Sequence, residues 1–135
     1  MSLRPLRVLL ALVLCVFLAG CSTASDSVPT ARGTSAPAAT GTSGLPTVRA
    51  ADLPPEARRT LELIARGGPY PYAKDGAVFS NFERILPRKE RGHYREYTVR
   101  TPGERDRGAR RIVTGRDGEI YWTDDHYETF REVLG

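Results

Sequence analysis

Cysteine is nearly absent from this sequence of 135 residues: Cys15 and Cys21 are the only two, and none follows position 21. Whatever folds downstream is therefore built without disulfides and without thiolate metal ligands. Long apolar runs are equally scarce. The one uninterrupted stretch, residues 8–18, falls short of the roughly 20 residues that a stable membrane-spanning helix requires. Strong charge bias is missing as well. Residues 49–135 carry 17 basic against 15 acidic side chains, a net charge of +2, which argues against a polyanion binder working by bulk charge and leaves local clustering to attract phosphate. There is no internal repeat.

What is present begins with an export signal. Arg4 and Arg7 precede the apolar run, which ends in Leu18-Ala19-Gly20-Cys21. Small residues before a cysteine in this setting resemble a bacterial lipobox, so residues 1–20 are expected to be a lipoprotein signal peptide and Cys21 the lipidated N-terminus. Cys15 would leave with the signal. Of residues 22–48, 22 of 27 are Ser, Thr, Ala, Pro or Gly, too little apolar surface to offset chain entropy. Residues 21–48 thus read as a disordered linker, which as a flexible coil would hold the rest on the order of 30 Å from the membrane. The expected location is extracytoplasmic, anchored to the cell membrane, or secreted if the lipobox is not used. Residues 49–135 remain as a single domain, near the lower size limit for a core without staples.

Within that domain, LPPEARRTLELIA (53–65) places Leu53, Ala57, Leu61 and Ile64 at helical spacing, opens with prolines and stops at Gly67-Gly68. Strand and turn signals follow: a turn at Asp75-Gly76, alternation over 93–100, a turn at TPG, a second strand over 107–114, and a third over 119–123. One helix followed by consecutive antiparallel strands predicts an α+β fold with the helix on one sheet face. If the first two of these strands pair with Val99 and Ile112 on the core, Glu96, Arg107 and Arg111 point together to the opposite, open face.

One carboxylate beside two guanidiniums is suited to phosphate chemistry. Arginine donates two parallel charge-assisted hydrogen bonds to a phosphate, and a carboxylate in such company can serve as general base. A second acid–base group is available in His126, on a loop past the third strand. Histidine titrates near pH ~6.5 when unperturbed, and Asp124, Asp125 and Glu128 are near it in sequence. Taken alone, the arginine-rich stretch over 94–112 also reads as a solvated or RNA-binding face, His126 as a bystander, and His93 has no evident role.

Four separated segments, LPPEARRTLELIA (53–65), GPYPYAKDGAVFSNFE (68–83), YREYTVRTPGERDRGARRI (94–112) and TDDHYETF (123–130), resemble in order those of the microbial guanine-specific ribonucleases. That group includes barnase-like enzymes and small secreted bacterial guanyl ribonucleases, the latter being the better match. The resemblance covers nearly all of residues 52–135. It implies the microbial ribonuclease fold and an endoribonuclease that cleaves single-stranded RNA 3′ to guanosine through a 2′,3′-cyclic phosphate, hydrolysed to a 3′-phosphate, with no metal and no cofactor. It further implies that Glu96 is the base, His126 the acid, that Arg107 and Arg111 hold the phosphate, and that Tyr127 bonds to it. Val78, Phe79, Ser80, Asn81, Phe82 and Glu83 would form the guanine site. Glu83 would accept from the N1–H and N2–H of guanine, Phe79 would stack on the base, and Asn81 would take a left-handed turn. Ser80 and Phe82 depart from the Gln and Arg often found in the nearer relatives. The expected partners are RNA, the membrane through the acyl anchor and a barstar-like inhibitor, with the protein a monomer. The alternative is a non-catalytic, surface-anchored RNA or polyanion binding module with a ribonuclease-like fold.

Overall fold

The computed structural model describes residues 41–135. The expected signal peptide, Cys21 and the linker as far as residue 40 lie outside the described residues. In chain order the elements are β1 (Thr47–Arg49), a 3-10 turn (Ala50–Asp52), α1 (Pro55–Ala65), β2 (Ala77–Phe79), β3 (Tyr94–Thr98), β4 (Arg111–Gly115), β5 (Ile120–Thr123) and β6 (Arg131–Leu134). The strands make one sheet in the order β1-β6-β5-β4-β3-β2, antiparallel throughout except for the parallel pair β1–β6. This is the expected α+β architecture.

Helix α1 begins at Pro55, whose missing N–H falls where a helix has no acceptor for it. It ends in a glycine cap: the Gly67 N–H donates to the Ile64 carbonyl (3.2 Å) and the Gly68 N–H to the Leu63 carbonyl (2.9 Å), with both glycines at positive φ. Leu53, Ala57, Leu61 and Ile64 settle on Val99, Ile112 and Trp122. Ala57 is fully buried, so a larger side chain there would push the helix off the sheet.

The opposite sheet face departs from expectation. Successive strand residues point to opposite sides, so Val113 and Tyr121, neighbours of the helix-side Ile112 and Trp122, turn away from α1. They join Leu86, Tyr94 and Phe130 in a second buried cluster, with Phe79, Ile85 and Tyr127 packed against it. The face expected to be open is thus covered by the segment around Phe79–Leu86 and by the Tyr127 region. His93 is buried too, with Nε2 2.5 Å from Glu119 Oε1.

The second expected strand also starts later, at Arg111 instead of residue 107. Gly103 and Gly108 sit at positive φ (88° and 58°), and a Cβ at Gly108 would stand 2.4 Å from Thr101 Oγ1. Residues 107–110 therefore belong to the β3–β4 loop.

A third correction concerns the linker. Residues 42–48 are part of the domain: β1 pairs with β6, and the buried Glu132 carboxylate accepts from the Thr42 N–H (3.1 Å), Thr42 Oγ1 (3.2 Å), the Ser43 N–H (2.9 Å) and Ser43 Oγ (2.5 Å). Burial pushes that carboxyl up, but the donors of Ser43 and Thr42 outweigh it and hold it below the usual glutamate range. Small polar residues that look like a tether by composition are here the partners of a carboxylate 90 positions away.

Candidate active site

Glu96 lies in the middle of β3, opposite Val113 of β4, and its register places it on the same face as Thr98 and Arg111. Its Oε1 accepts from Arg107 Nη2 at 3.3 Å, and its Oε2 accepts a short hydrogen bond from the Tyr127 hydroxyl. Arg107 reaches Glu96 from the loop, steadied by its Nε donating to Thr98 Oγ1 at 2.9 Å. The expectation of two arginines four apart on one strand is therefore replaced by one loop arginine and one strand arginine.

Arg111 has a different setting from the one expected. It is 2 % exposed. Its Nη1 donates to the carbonyls of Arg107, Gly108 and Arg110 (3.2, 2.8 and 2.7 Å), while Nε donates to the Tyr127 hydroxyl at 3.1 Å. The guanidinium lies 5.7 Å from the Tyr127 ring centre. Arg111 thus fixes the path of the β3–β4 loop and, through it, the position of Arg107. Arg110 instead turns toward the helix, 3.9 Å from Glu56.

Tyr127 links the two charged groups, accepting from Arg111 and donating to Glu96. Burial, followed by the neighbouring Glu96 carboxylate, pushes its hydroxyl up to about 12. At neutral pH it therefore keeps its proton and donates a hydrogen bond to Glu96.

His126 and Tyr127 are both held at positive φ (59° and 73°), a costly conformation for residues with side chains. Several bonds enforce it. The His126 N–H donates to the Ala109 carbonyl (3.2 Å) and the Tyr127 N–H to Thr123 Oγ1 (3.2 Å). Asp125 braces the same turn by accepting from Thr123 Oγ1 (2.8 Å), the Thr129 N–H (2.9 Å) and the Thr129 hydroxyl. Burial raises the Asp125 carboxyl, and the hydroxyl and N–H of Thr129 and the Thr123 hydroxyl more than reverse that, leaving it below the usual range. Sequence proximity pointed to Asp125 as a charge acting on His126; the bonds its carboxylate makes are those of a loop brace. Thr98 and Thr123 were missed by sequence reasoning, as was the bracing role of Asp125, because these roles come from contacts that spacing alone does not display.

The loop over residues 78–86 takes its shape from Asn81. At φ 49°, its side chain donates to the Leu86 carbonyl (2.9 Å) and accepts from the Leu86 N–H (3.1 Å), closing residues 81–86 into a ring. Phe79 packs one side of its ring on Tyr127 (centroids 5.2 Å apart) and meets Phe130 edge-on. Phe82 stands 84 % exposed. All six expected residues, Val78 to Glu83, line one cleft of about 680 Å³ together with Glu96, His126 and Tyr127. Arg107 and Arg111 are not among the residues that line it; Arg107 reaches it through its bond to Glu96.

A cleft that joins a carboxylate, an exposed histidine, a tyrosine and a loop with free acceptors is equipped for proton transfer at a bound ester of modest size. Known proteins share this frame. The chain is 62 % identical over 93 residues to guanyl-specific ribonuclease St of Saccharopolyspora erythraea, covering 69 % of this chain and 92 % of that one. It is 58 % identical over 85 residues to guanyl-specific ribonuclease Sa of Kitasatospora aureofaciens, covering 62 % and 88 %. Among solved structures, ribonuclease Sa2 in complex with mononucleotides superposes with a TM-score of 0.67 at 55 % identity over 67 % of this chain and 95 % of that one. Ribonuclease Sa2 with guanosine-2′-cyclophosphate gives 0.64 at 56 % identity, covering 67 % and 96 %. The ribonuclease family model matches residues 36–134, and with this fold and this cleft the chain belongs to the ribonuclease family.

Proposed function

We propose that the protein is an endoribonuclease that cuts single-stranded RNA on the 3′ side of guanosine, without a metal ion. The observation that carries this reading is the meeting of Glu96 and His126, 30 residues apart, in the cleft that all six residues of 78–83 line. In the first step Glu96 takes the proton of the ribose 2′-OH. The 2′-oxygen forms its bond to phosphorus while the bond to the departing 5′-oxygen breaks, and His126 gives that oxygen its proton. The product is a 2′,3′-cyclic phosphate. In the second step His126 takes a proton from water, the water oxygen attacks phosphorus, and the 2′-oxygen leaves with the proton held by Glu96, giving a 3′-phosphate. Arg107 supplies positive charge to the phosphate oxygens. Arg111 acts behind it, through the loop carbonyls and Tyr127.

Guanine selectivity rests on Glu83, which can accept from N1–H and N2–H together; adenine would present a lone pair at N1. The names of the relatives, guanyl-specific, and the guanosine cyclophosphate bound to ribonuclease Sa2 support the same choice. The location we propose, the outer side of the membrane through an acylated Cys21, is supported by the Leu18-Ala19-Gly20-Cys21 motif alone, and replacing Cys21 with Ser should release the protein from the membrane fraction.

The test is cleavage of GpU and ApU by the purified protein in excess EDTA. Fast GpU turnover with ApU slower by orders of magnitude is expected, with a bell-shaped pH profile. Equal rates would sink the guanine assignment. Salt-sensitive RNA binding without turnover would favour the non-catalytic module instead.

A further inference from the structure

The catalytic cleft has a neighbour. Across the loop lies a second depression of about 400 Å³, lined by Arg84, Arg88, Lys89 and Arg91 against a single acid, Glu90. Phe79, Ser80, Asn81 and Phe82 line both hollows and so form the partition between them. Two of the charged groups are already matched: Lys89 binds Asp117 at 2.9 Å and Glu90 binds Arg116 at 2.6 Å. Arg84, Arg88 and Arg91 are exposed, and their side chains make no hydrogen bond or ion pair among the described residues. Three unmatched guanidiniums next to the exposed ring of Phe82 combine the two elements that hold single strands, a cationic track and a stacking platform.

We propose that this second hollow is a subsite for the RNA on the 5′ side of the cleaved guanosine. The preceding base stacks on the side of Phe82 turned away from the guanine, and the preceding phosphates lie on Arg84, Arg88 and Arg91. The direction follows from the site already described, on which this inference rests. The 3′-phosphate of the guanosine sits at Glu96 and His126, and the next nucleotide leaves past the exposed His126. The strand on the 5′ side departs from the other end of the ribose, across the partition, toward the arginines.

The experiment compares GpU, UpUpGpU and GpUpUpU as substrates of the wild-type protein and of a triple variant, R84N/R88Q/R91Q. Asn is used at position 84 because that residue holds φ 57°, which Asn tolerates. For the wild type, kcat/KM on UpUpGpU should exceed that on GpU by on the order of tenfold at low salt, the scale of a stacked base with two screened ion pairs. With two further phosphates contributing ~0.7 each to the salt slope, that advantage should fall about sevenfold between about 50 and about 200 mM salt. The variant should lose the advantage and its salt dependence while cleaving GpU and GpUpUpU within twofold of the wild type.

An advantage that survives in the variant overturns the subsite, as does a loss that strikes GpU or GpUpUpU equally. Binding of the same tetranucleotides containing 2′-deoxyguanosine, which lack the attacking hydroxyl, separates the two readings. Arginine-dependent binding of the 5′-extended strand with no cleavage of any substrate would sink the ribonuclease reading alone. Arginine-independent binding alongside normal GpU cleavage would sink the subsite alone.

Discussion

Shortening the chain to begin at Arg49 removes Thr42 and Ser43, which together supply all four donors to Glu132 outside its own strand pairing. Glu132 itself is 6 % exposed. A hydrogen bond to a charged group contributes about 1.5–3 kcal/mol net, and the four here share one carboxylate and do not add. Without the segment, β6 becomes a sheet edge and Glu132 can turn toward water, so the loss stays near the value for one or two such bonds, about 2–3 kcal/mol. For a domain of this size that lowers Tm by roughly 10–20 °C. The contribution is isolated by a cycle of four proteins, beginning at Gly41 or at Arg49, each with Glu132 or with Glu132→Gln, unfolded in urea. In the longer chain Glu132→Gln sets an amide donor against the donors of Ser43 and should cost about 2–3 kcal/mol; in the shorter chain it should be close to neutral. The pH dependence has a defined sign. Since the folded carboxyl is held below its unfolded value of ~4.3, the stabilisation is present above that value and is lost as the pH falls through the folded one. Equal stability of the two wild-type lengths at pH 7, or an equal cost of Glu132→Gln in both, would refute the role given to residues 42–48.

Two further outcomes bear on the cleft. His126→Ala should lower kcat on GpU by about 10²–10⁴-fold with Tm nearly unchanged, since the side chain is exposed; an unchanged rate would mean that another group is the acid. Glu83→Gln should raise KM for GpU and reduce the GpU to ApU ratio of kcat/KM by at least about tenfold, because the carboxylate that accepts two donors from guanine is gone; an unaltered ratio would move the base recognition elsewhere.

The helix was fully legible in the sequence because its signals are local: prolines at the start, apolar residues three and four apart, two glycines at the end. The left-handed Asn81 was legible for the same reason. The three unforeseen strands are different. β1, β2 and β6 are only three or four residues long, too short to show alternation, and they exist because a neighbouring strand offers them backbone partners. The later start of β4 was hidden because Arg107-Gly108-Ala109 looks like alternation, while the close approach of Thr101 to Gly108 that bends the chain is a contact between distant positions.

The sequence by itself determined which groups this protein has to work with: one carboxylate at 96, one loop histidine at 126, arginines at 107 and 111, and a loop built for a turn at 81. It also determined the helix and the α+β class, since both follow from patterns repeated within a few residues. The tertiary structure decided how those groups are used. It buried Arg111 as the support of a loop, made Arg107 the cation that meets Glu96, clamped Tyr127 between Glu96 and Arg111, turned Asp125 into a brace and drew residues 42–48 into the domain. Each of these depends on which atoms face one another after the sheet has closed over two cores, and the distances involved are set by packing between residues that the linear order keeps apart.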